Sequence, residues 1–256
     1  MNIKGLTPLQ EHVPELNTRS GILRGPLAVG AVFVLTTLFF LAADRGFPEW
    51  MPDGEIVVLA LGFLILSRFF SQRRRYQAKY GALAYRNAFA RFGIPGLGIV
   101  SASIGHLAYI AGPDIPDLWW KPWLVALGTI LVAVGFLLWF RAVTSSGIDG
   151  LVMLYVYYPE EGTMFGSGLY SILRHPIYSA ALDIGFGLAL VHANWYALLV
   201  ALLLPIFFAG WVRLIEEPDL LQRFPQYAAY RSHVPAFAPA PANLMKFLRC
   251  LLTGES

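Results

Sequence analysis

The chain has 256 residues, of which 57% are hydrophobic and only 14% are charged. Soluble domains average about 25% charged residues, so this composition excludes an ordinary soluble domain and predicts an all-α integral membrane protein. The net charge of +3 gives no indication of nucleic-acid binding, and with Cys250 as the single cysteine we expect no disulfide and no metal site.

Six apolar runs are candidates for membrane-spanning helices. A bilayer core needs about 20 helical residues, and the fifth run is shorter and carries Asp183, Gly185 and Gly187. We therefore expect five to six transmembrane helices, with the fifth tilted or sheltered and packed closely through its glycines. The runs cover roughly residues 26–43, 55–70, 94–112, 123–141, 177–191 and 195–212.

The distribution of charge predicts the orientation. Acidic residues dominate the loops after the first and third runs, whereas the loop between the second and third runs is basic. Basic loops remain in the cytoplasm, so six spans place both termini there. Residues 144–176 and the tail from 213 onward then share the cytoplasmic face. The basic residues of that loop are Arg68, Arg73, Arg74, Arg75, Lys79, Arg86 and Arg91.

This topology divides the chain into two parts. Residues 1–143 form the N-terminal transmembrane helices. Residues 144–256 form a catalytic half, which consists of a cytoplasmic connection, a transmembrane hairpin and a cytoplasmic tail that binds a cofactor. The polar sequences at the two ends of the hairpin lie on the same side of the membrane. We expect these sequences to form a polar pocket at the lipid surface, which suits an enzyme that joins a water-soluble reagent to a lipophilic acceptor.

Arg174 and His175 lie at one end of this hairpin. Pro176 suits the first turn of a helix, so both residues stand at a helix N-terminus, where free N–H groups attract anions. Arg174 can also hold a carboxylate through two parallel hydrogen bonds. We interpret both residues as functional.

Glu216 and Glu217 lie at the other end. One of these carboxylates can accept hydrogen bonds from a ribose diol or bind a ligand ammonium group. The other can pair with Arg213 or Arg174. Pro218 then suits the first turn of a further helix, which Pro225 restarts or kinks.

Asp183 and His106 are ionisable residues inside apolar runs, away from the ends of those runs. Such residues indicate function by default, and Asp183 can hold or deprotonate an amine. A hydrogen bond between helices explains Asp183 equally well. His106 is interpreted as a packed, hydrogen-bonded histidine.

The C-terminal half resembles a superfamily of membrane methyltransferases. The superfamily is typified by isoprenylcysteine carboxyl methyltransferase, and phosphatidylethanolamine N-methyltransferases are similar. The residues that carry the resemblance are Ser167-Gly168-Leu169-Tyr170, Arg174-His175-Pro176-x-Tyr178, Glu216-Glu217-x-x-Leu220, Phe224, Tyr227, Tyr230 and Val234-Pro235-x-Phe237-x-Pro239.

The resemblance implies S-adenosylmethionine as the methyl donor, bound at the cytoplasmic face. The residues implied to bind it are Gly168, Tyr170, Arg174, His175, Tyr178, Glu216, Glu217, Tyr227 and Tyr230. The catalytic candidates are Arg174, Asp183 and Glu216. The acceptor is lipophilic and enters from the bilayer.

The acceptor stays open at this stage. An isoprenylcysteine-type carboxylate needs a cation such as Arg174 or Arg141, whereas a phospholipid amine needs a base such as Asp183 or a glutamate. A thiol S-methyltransferase is a further alternative. A sterol-type reductase that uses NADPH is another, because sterol reductases resemble the same superfamily in their C-terminal halves.

Overall fold

The computed structural model describes residues 4–254, and these residues form helices joined by turns and short connections, with no β-strand among them. The predicted all-α class is confirmed. In chain order the α-helices are α1 (Leu6–His12), α2 (Arg19–Gly46), α3 (Met51–Ser71), α4 (Arg73–Tyr80), α5 (Ala84–Ala88), α6 (Ile94–His106), α7 (Lys121–Ser146), α8 (Ile148–Leu151), α9 (Pro176–His192), α10 (Trp195–Trp211), α11 (Glu217–Arg223), α12 (Tyr227–His233) and α13 (Leu244–Thr253).

Five helical segments are long and apolar enough to cross a membrane, and α9 is a shorter apolar helix of 17 residues. The protein is therefore a multi-pass membrane protein, and the predicted number of spans is confirmed. Some of these five segments contain two or more consecutive helices. Their bounds are Arg19–Gly46, Pro48–Ser71, Arg73–His106, Lys121–Ser146 and Trp195–Arg223.

The end of the third apolar run differs from the prediction. The run was expected to continue to residue 112, but α6 ends at His106, where the chain enters turns. The turn hydrogen bonds include Ala108 N–H to the Gly105 carbonyl at 3.1 Å. Apolar composition continues to residue 112 although the helix does not, so composition extended this prediction past the true helix end.

Helix α9 is held by close contact with α7. A Cβ atom built on Gly187 would lie 2.7 Å from the Gly128 carbonyl oxygen, and one on Gly128 would lie equally close to the Gly187 carbonyl. The two backbones can approach this closely because neither residue has a side chain. This packing confirms the expected role of Gly187 and fixes α9, whose first turn follows Arg174.

The contacts define the two ends of the helical bundle. Phe70 at the end of α3 packs against Trp211 at the end of α10, with ring centroids 5.4 Å apart. The Trp211 indole N–H in turn reaches Tyr178 near the start of α9. These helix ends therefore gather on one side, and Glu55, near the start of α3, lies about 22 Å away along the helix axis from Phe70.

The tail after α10 returns to the start of α9. Helices α11 and α12 are separate, as Pro225 predicted, and the chain beyond α12 receives two backbone hydrogen bonds. Arg174 N–H donates to the Pro235 carbonyl at 2.9 Å, and His175 N–H donates to the Ala236 carbonyl at 3.1 Å. These bonds fasten the tail to the residues that precede α9.

Candidate active site

The two predicted polar sequences meet. Arg174 Nη2 lies 3.0 Å from Glu217 Oε1, and the side chain of Glu217 is only 2% exposed. The contact is a single bond, and the second carboxylate oxygen of Glu217 pairs with Arg231. Arg174 Nη1 donates to the carbonyls of Arg231 and Val234, both at 2.6 Å. Arg174 thus joins the start of α9 to α11 and to the tail.

Glu217 is the centre of the cluster. Arg231 Nε lies 3.2 Å from Oε2, and the Tyr227 hydroxyl donates to Oε1 at 3.3 Å. A buried carboxylate is stable when it is paired and hydrogen-bonded. Burial raises the pKa of the Tyr227 hydroxyl, so this hydroxyl stays protonated and continues to donate. Glu217 is therefore fully engaged by protein groups and holds the site together.

His175 lies between the two glutamates. Its Nε2 atom is 3.4 Å from Glu217 Oε1, and its Nδ1 atom is 3.7 Å from Glu216 Oε1. The second of these distances exceeds that of an ordinary hydrogen bond. The ring is buried and stacks on Tyr178, with centroids 5.6 Å apart. His175 therefore fills the space between the glutamates without binding either one tightly.

Glu216 presents an atom that the described protein leaves unpaired. Its Oε2 atom is buried and has no hydrogen-bond partner among residues 4–254, and neither has Arg174 Nε. Glu216 ends a π-helical turn, Val212–Glu216, which joins α10 to α11. π-Helical turns are rare in proteins as a whole, and those that occur often lie at functional sites. The orphaned carboxylate oxygen and the orphaned N–H group are suited to binding a polar ligand.

One expected property of the α9 N-terminus is absent. The sequence suggested free N–H groups at residues 174 and 175, but both bond to the tail carbonyls described above. That expectation was wrong, because the tail lay beyond the reach of the local helix argument.

Tyr178 is oriented by a residue that the sequence did not single out. Its hydroxyl accepts a hydrogen bond of 3.1 Å from the Trp211 indole N–H. Because the oxygen receives this bond, its own proton is free to point toward another acceptor. Trp211 is the last residue of α10 and directly precedes the π-helical segment that ends at Glu216.

Gly168, Tyr170 and Tyr230 form the side of the site that faces the connection. Gly168 has φ 58°, and a Cβ atom there would meet nothing within 4 Å. The Tyr230 hydroxyl donates to the Tyr170 carbonyl at 2.5 Å. Burial raises the pKa of Tyr170 and of Tyr230 to about 12. Both hydroxyls are therefore neutral donors at physiological pH.

Asp183 stands apart from this cluster. It lies on α9, eight residues after His175, which corresponds to about 12 Å along the helix. Its side chain is half-buried, and no described residue forms a hydrogen bond or ion pair with it. The alternative role in a hydrogen bond between helices therefore has no partner in residues 4–254.

A second polar cluster lies at the opposite end of the bundle. His106 Nε2 is 3.0 Å from Asp44 Oδ2, and His106 Nδ1 contacts Glu55 Oε2. The ring is fully buried and stacks on Phe40, with centroids 4.1 Å apart. The interpretation of His106 as a packed histidine is confirmed, but Asp44 and Glu55 had been read only as residues of an external loop.

Sequence reasoning also missed Arg231. It adjoins Tyr230, and a cation beside predicted ligand-binding residues was an available signal. Its contact with Glu217 depends on the fold of the tail, since local periodicity says nothing about a pair separated by a helix break. Arg213, considered as a partner for the glutamates, is exposed, and Arg174 takes that position.

Comparison with known proteins finds a family that part of the chain resembles. Residues 123–227 match the phospholipid methyltransferase family. This segment runs from α7 to the first residue of α12 and contains both sequences that meet in the site. The matched segment covers less than half of the chain, and over this segment the predicted resemblance to membrane methyltransferases of the isoprenylcysteine carboxyl and phosphatidylethanolamine type is confirmed.

One curated relative is similar to part of the chain. The chain is 29% identical over 125 residues to the cobalt-zinc-cadmium resistance protein CzcN of Cupriavidus metallidurans. The match covers 47% of this chain and 51% of the relative, so the chain spans about half the length of that protein. No solved structure matches the chain.

Proposed function

We propose that the protein is an S-adenosylmethionine-dependent methyltransferase that acts on a lipophilic acceptor at the membrane surface. One observation carries the proposal. Arg174 and His175 contact Glu217 across 42 or more positions of sequence, within a segment that matches a methyltransferase family. The contact encloses a polar cluster at the ends of apolar helices, where a soluble methyl donor and a lipid can both arrive.

The residues present fit this donor. S-adenosylmethionine carries an ammonium group, a carboxylate and a ribose diol, and the site offers unpaired groups of complementary chemistry in Glu216 Oε2 and Arg174 Nε. A Cβ atom on Gly168 would meet nothing within 4 Å, so there is open space at this position of the connection. When bound, the donor supplies a sulfonium methyl group that a lone pair can take by direct displacement. The proposed binding residues remain Gly168, Tyr170, Arg174, His175, Tyr178, Glu216, Glu217, Tyr227 and Tyr230.

The engagement of the arginines favours an amine as acceptor. An acceptor carboxylate needs a free cation, but Arg174 is bound to Glu217 and to two tail carbonyls. Arg141 donates to the carbonyls of Leu251 and Leu252 at 3.0 and 2.7 Å. Asp183, by contrast, is an acid without a partner in the described residues, and it can attract an ammonium group. A lipid amine therefore fits the charges better than a prenyl-cysteine carboxylate.

The three catalytic candidates take different roles in this proposal. Asp183 accepts the proton that an acceptor ammonium must lose before its nitrogen becomes nucleophilic. Glu216 binds the donor, and Arg174 positions Glu217 and the tail. Alignment and exclusion of water then account for most of the catalysis, because displacement at a methyl group needs no covalent intermediate with the enzyme.

The predicted division and orientation are kept as part of the proposal. Residues 1–143 serve as transmembrane helices and residues 144–256 as the catalytic half, with the site and both termini in the cytoplasm. The clustering of basic residues between 68 and 91 supports this orientation, because their helices end on the same side of the bundle as the site.

The test is incubation of the purified protein with radiolabelled S-adenosylmethionine and a total lipid extract. We expect label in an amine-bearing lipid, and label in a prenyl-cysteine or a small thiol would replace the amine assignment. A thermal-shift comparison with NADPH distinguishes the reductase alternative. Stabilisation by NADPH and not by S-adenosylhomocysteine would overturn the proposed function.

A further inference from the structure

Helix α4 has two chemically different faces. Arg73 and Gln77, one turn apart, donate to the carbonyls of Val156 and Tyr157 at 2.9 and 3.1 Å. This face therefore packs on the connection between α8 and α9. At 100° per residue the opposite face consists of Arg74, Arg75, Ala78 and Lys79, and all four are exposed.

The basic residues of this region divide into two groups. Arg73 pairs with Asp219 at 3.4 Å, and Arg86 pairs with Glu15. The remaining five are exposed and form no ion pair with any residue that the structure describes. No aspartate or glutamate occurs between residues 56 and 113 that could neutralise them locally. We name them the basic surface: Arg68, Arg74, Arg75, Lys79 and Arg91.

The basic surface lies at the end of two membrane-spanning segments. Arg68 is in the last turn of α3, and α4 begins after a single intervening residue, Gln72. Aromatic rings stand between the cations, with Lys79 Nζ 4.9 Å from the Tyr80 ring and the Arg91 guanidinium 6.0 Å from the Phe92 ring. Mixed cations and aromatic rings are typical of the headgroup region of a bilayer.

We propose that the basic surface binds the headgroups of anionic phospholipids. Clusters of four to eight Lys or Arg residues next to a transmembrane helix bind acidic lipids in this way. The inner face of α4 is already held by the connection, so the outer cations are free to meet phosphates at the bilayer surface. A soluble polyanion would have to compete with the lipids that surround the end of α3, and this continuity with a span favours the lipid.

This surface has a consequence for the site. The carbonyls that anchor α4 belong to Val156 and Tyr157, and Arg73 also reaches Asp219 on α11. Helix α11 begins at Glu217. Anionic lipids bound to α4 therefore surround the same side of the bundle as the site, although none of the five cations contacts it in the described structure.

The experiment uses the full-length protein in vesicles of phosphatidylcholine that contain trace spin-labelled phosphatidylglycerol or phosphatidylcholine. We expect the anionic label to associate with the protein about fivefold more strongly at low salt, with the preference falling as salt rises. Combined Arg74→Gln, Arg75→Gln and Lys79→Gln substitutions should remove most of the preference. The charge-conserving variant with Arg74→Lys, Arg75→Lys and Lys79→Arg should keep it.

Two controls make the result decisive. Arg45→Gln removes an exposed cation at the other end of the bundle and should leave the preference unchanged. S-adenosylhomocysteine binding by the triple-glutamine variant shows that it is folded and separates this inference from the proposed function. Equal association of both labels with the wild-type protein would overturn the proposal, as would a preference that survives the triple substitution. Displacement of the anionic label by a short RNA or an acidic peptide at equal charge concentration would assign the surface to another partner.

Discussion

Two buried histidines, at opposite ends of the bundle, each lie between two carboxylates, but their surroundings differ. His106 contacts Asp44 at 3.0 Å and Glu55 more closely, and its cluster contains no arginine or lysine. His175 lies 3.4 and 3.7 Å from its two glutamates, and two arginines reach the same cluster. The first arrangement is tight and the second is loose.

The looser cluster, which two arginines reach, is the one that we propose as the binding site. His106 joins residues of α2, α3 and α6, so its tight contacts hold three helices together. Both clusters leave buried atoms without hydrogen-bond partners in the described structure, Glu55 Oε1 in the first and Glu216 Oε2 and Arg174 Nε in the second. Buried polar groups without partners cost free energy, and a ligand that satisfies them recovers that cost.

The largest expected effect follows Glu217→Gln. The substitution leaves Arg174 and Arg231 facing a neutral amide, and breaking a buried ion pair costs about 3–5 kcal/mol. We expect methyl transfer from radiolabelled S-adenosylmethionine to fall by at least about 100-fold. Asp117→Asn, which alters an exposed ion pair near the other end of α7, is the control and should keep full activity. Activity within twofold of wild type for Glu217→Gln would contradict the account.

His106→Ala should lower the stability of the protein but leave donor binding intact. Without the imidazole, Asp44 and Glu55 share a buried space with no cation, and the free energy of unfolding should fall by about 3 kcal/mol. The melting temperature of the purified protein measures this loss, with the exposed histidine substitution His233→Ala as control. The affinity for S-adenosylhomocysteine of the folded variant should stay within twofold. A large loss of affinity without a loss of stability would make this cluster part of the site.

Asp183→Asn tests the base assignment. Removing a general base lowers the rate by about 10²-fold or more, while donor binding should not change because Asp183 lies outside the cluster. The measurement is the rate of lipid methylation at saturating donor, with S-adenosylhomocysteine affinity as the accompanying readout. A variant with the full wild-type rate would remove Asp183 from the mechanism.

Glu216→Gln should affect the donor site without breaking its frame. Glu216 has an unpaired oxygen, and its contact with His175 is long at 3.7 Å. We therefore expect a loss of about tenfold in S-adenosylhomocysteine affinity, which corresponds to one charged hydrogen bond. The melting temperature without ligand should change by less than that of His106→Ala. An unaltered affinity would show that the orphaned oxygen has no ligand.

Tyr230→Phe should have the smallest effect on stability of these substitutions, and the size of that effect should depend on pH. Loss of its hydrogen bond to the Tyr170 carbonyl should cost about 1 kcal/mol of stability. Burial raises the pKa of Tyr230 from 10.0 to about 12, so the folded protein holds this proton more tightly than the unfolded chain. The stabilisation is complete below pH 10 and is lost as pH rises toward 12. Denaturant titrations at pH 8 and pH 11 measure the free energy of unfolding. Between these two pH values it should fall less for Tyr230→Phe than for the wild type.

The sequence predicted much of the fold because hydrophobic length is a local property. The number of spans and the break at Pro225 followed from composition and backbone chemistry. Site residues could be predicted from the sequence only where charged residues flank helices, as Arg174 and Glu217 do. The contribution of Arg231 required the path of the tail.

The His106 cluster shows the limit of reasoning from loops. Asp44 and Glu55 each stand at the boundary of an apolar run, and charge counting assigns such residues to the exterior. Burial of both depends on the packing of α2, α3 and α6 against one another, which no single helix pattern contains. The same argument explains why Trp211, an apolar residue at a helix end, did not stand out as a partner of Tyr178.

The most direct test is a double-mutant cycle on donor binding. Calorimetry would measure S-adenosylhomocysteine affinity for the wild type, Arg174→Gln, Glu217→Gln and the double variant. The account predicts one binding site in the wild type and a coupling energy of at least about 1.5 kcal/mol between the two residues. A folded wild-type protein that does not bind, or two strictly additive losses, would contradict it.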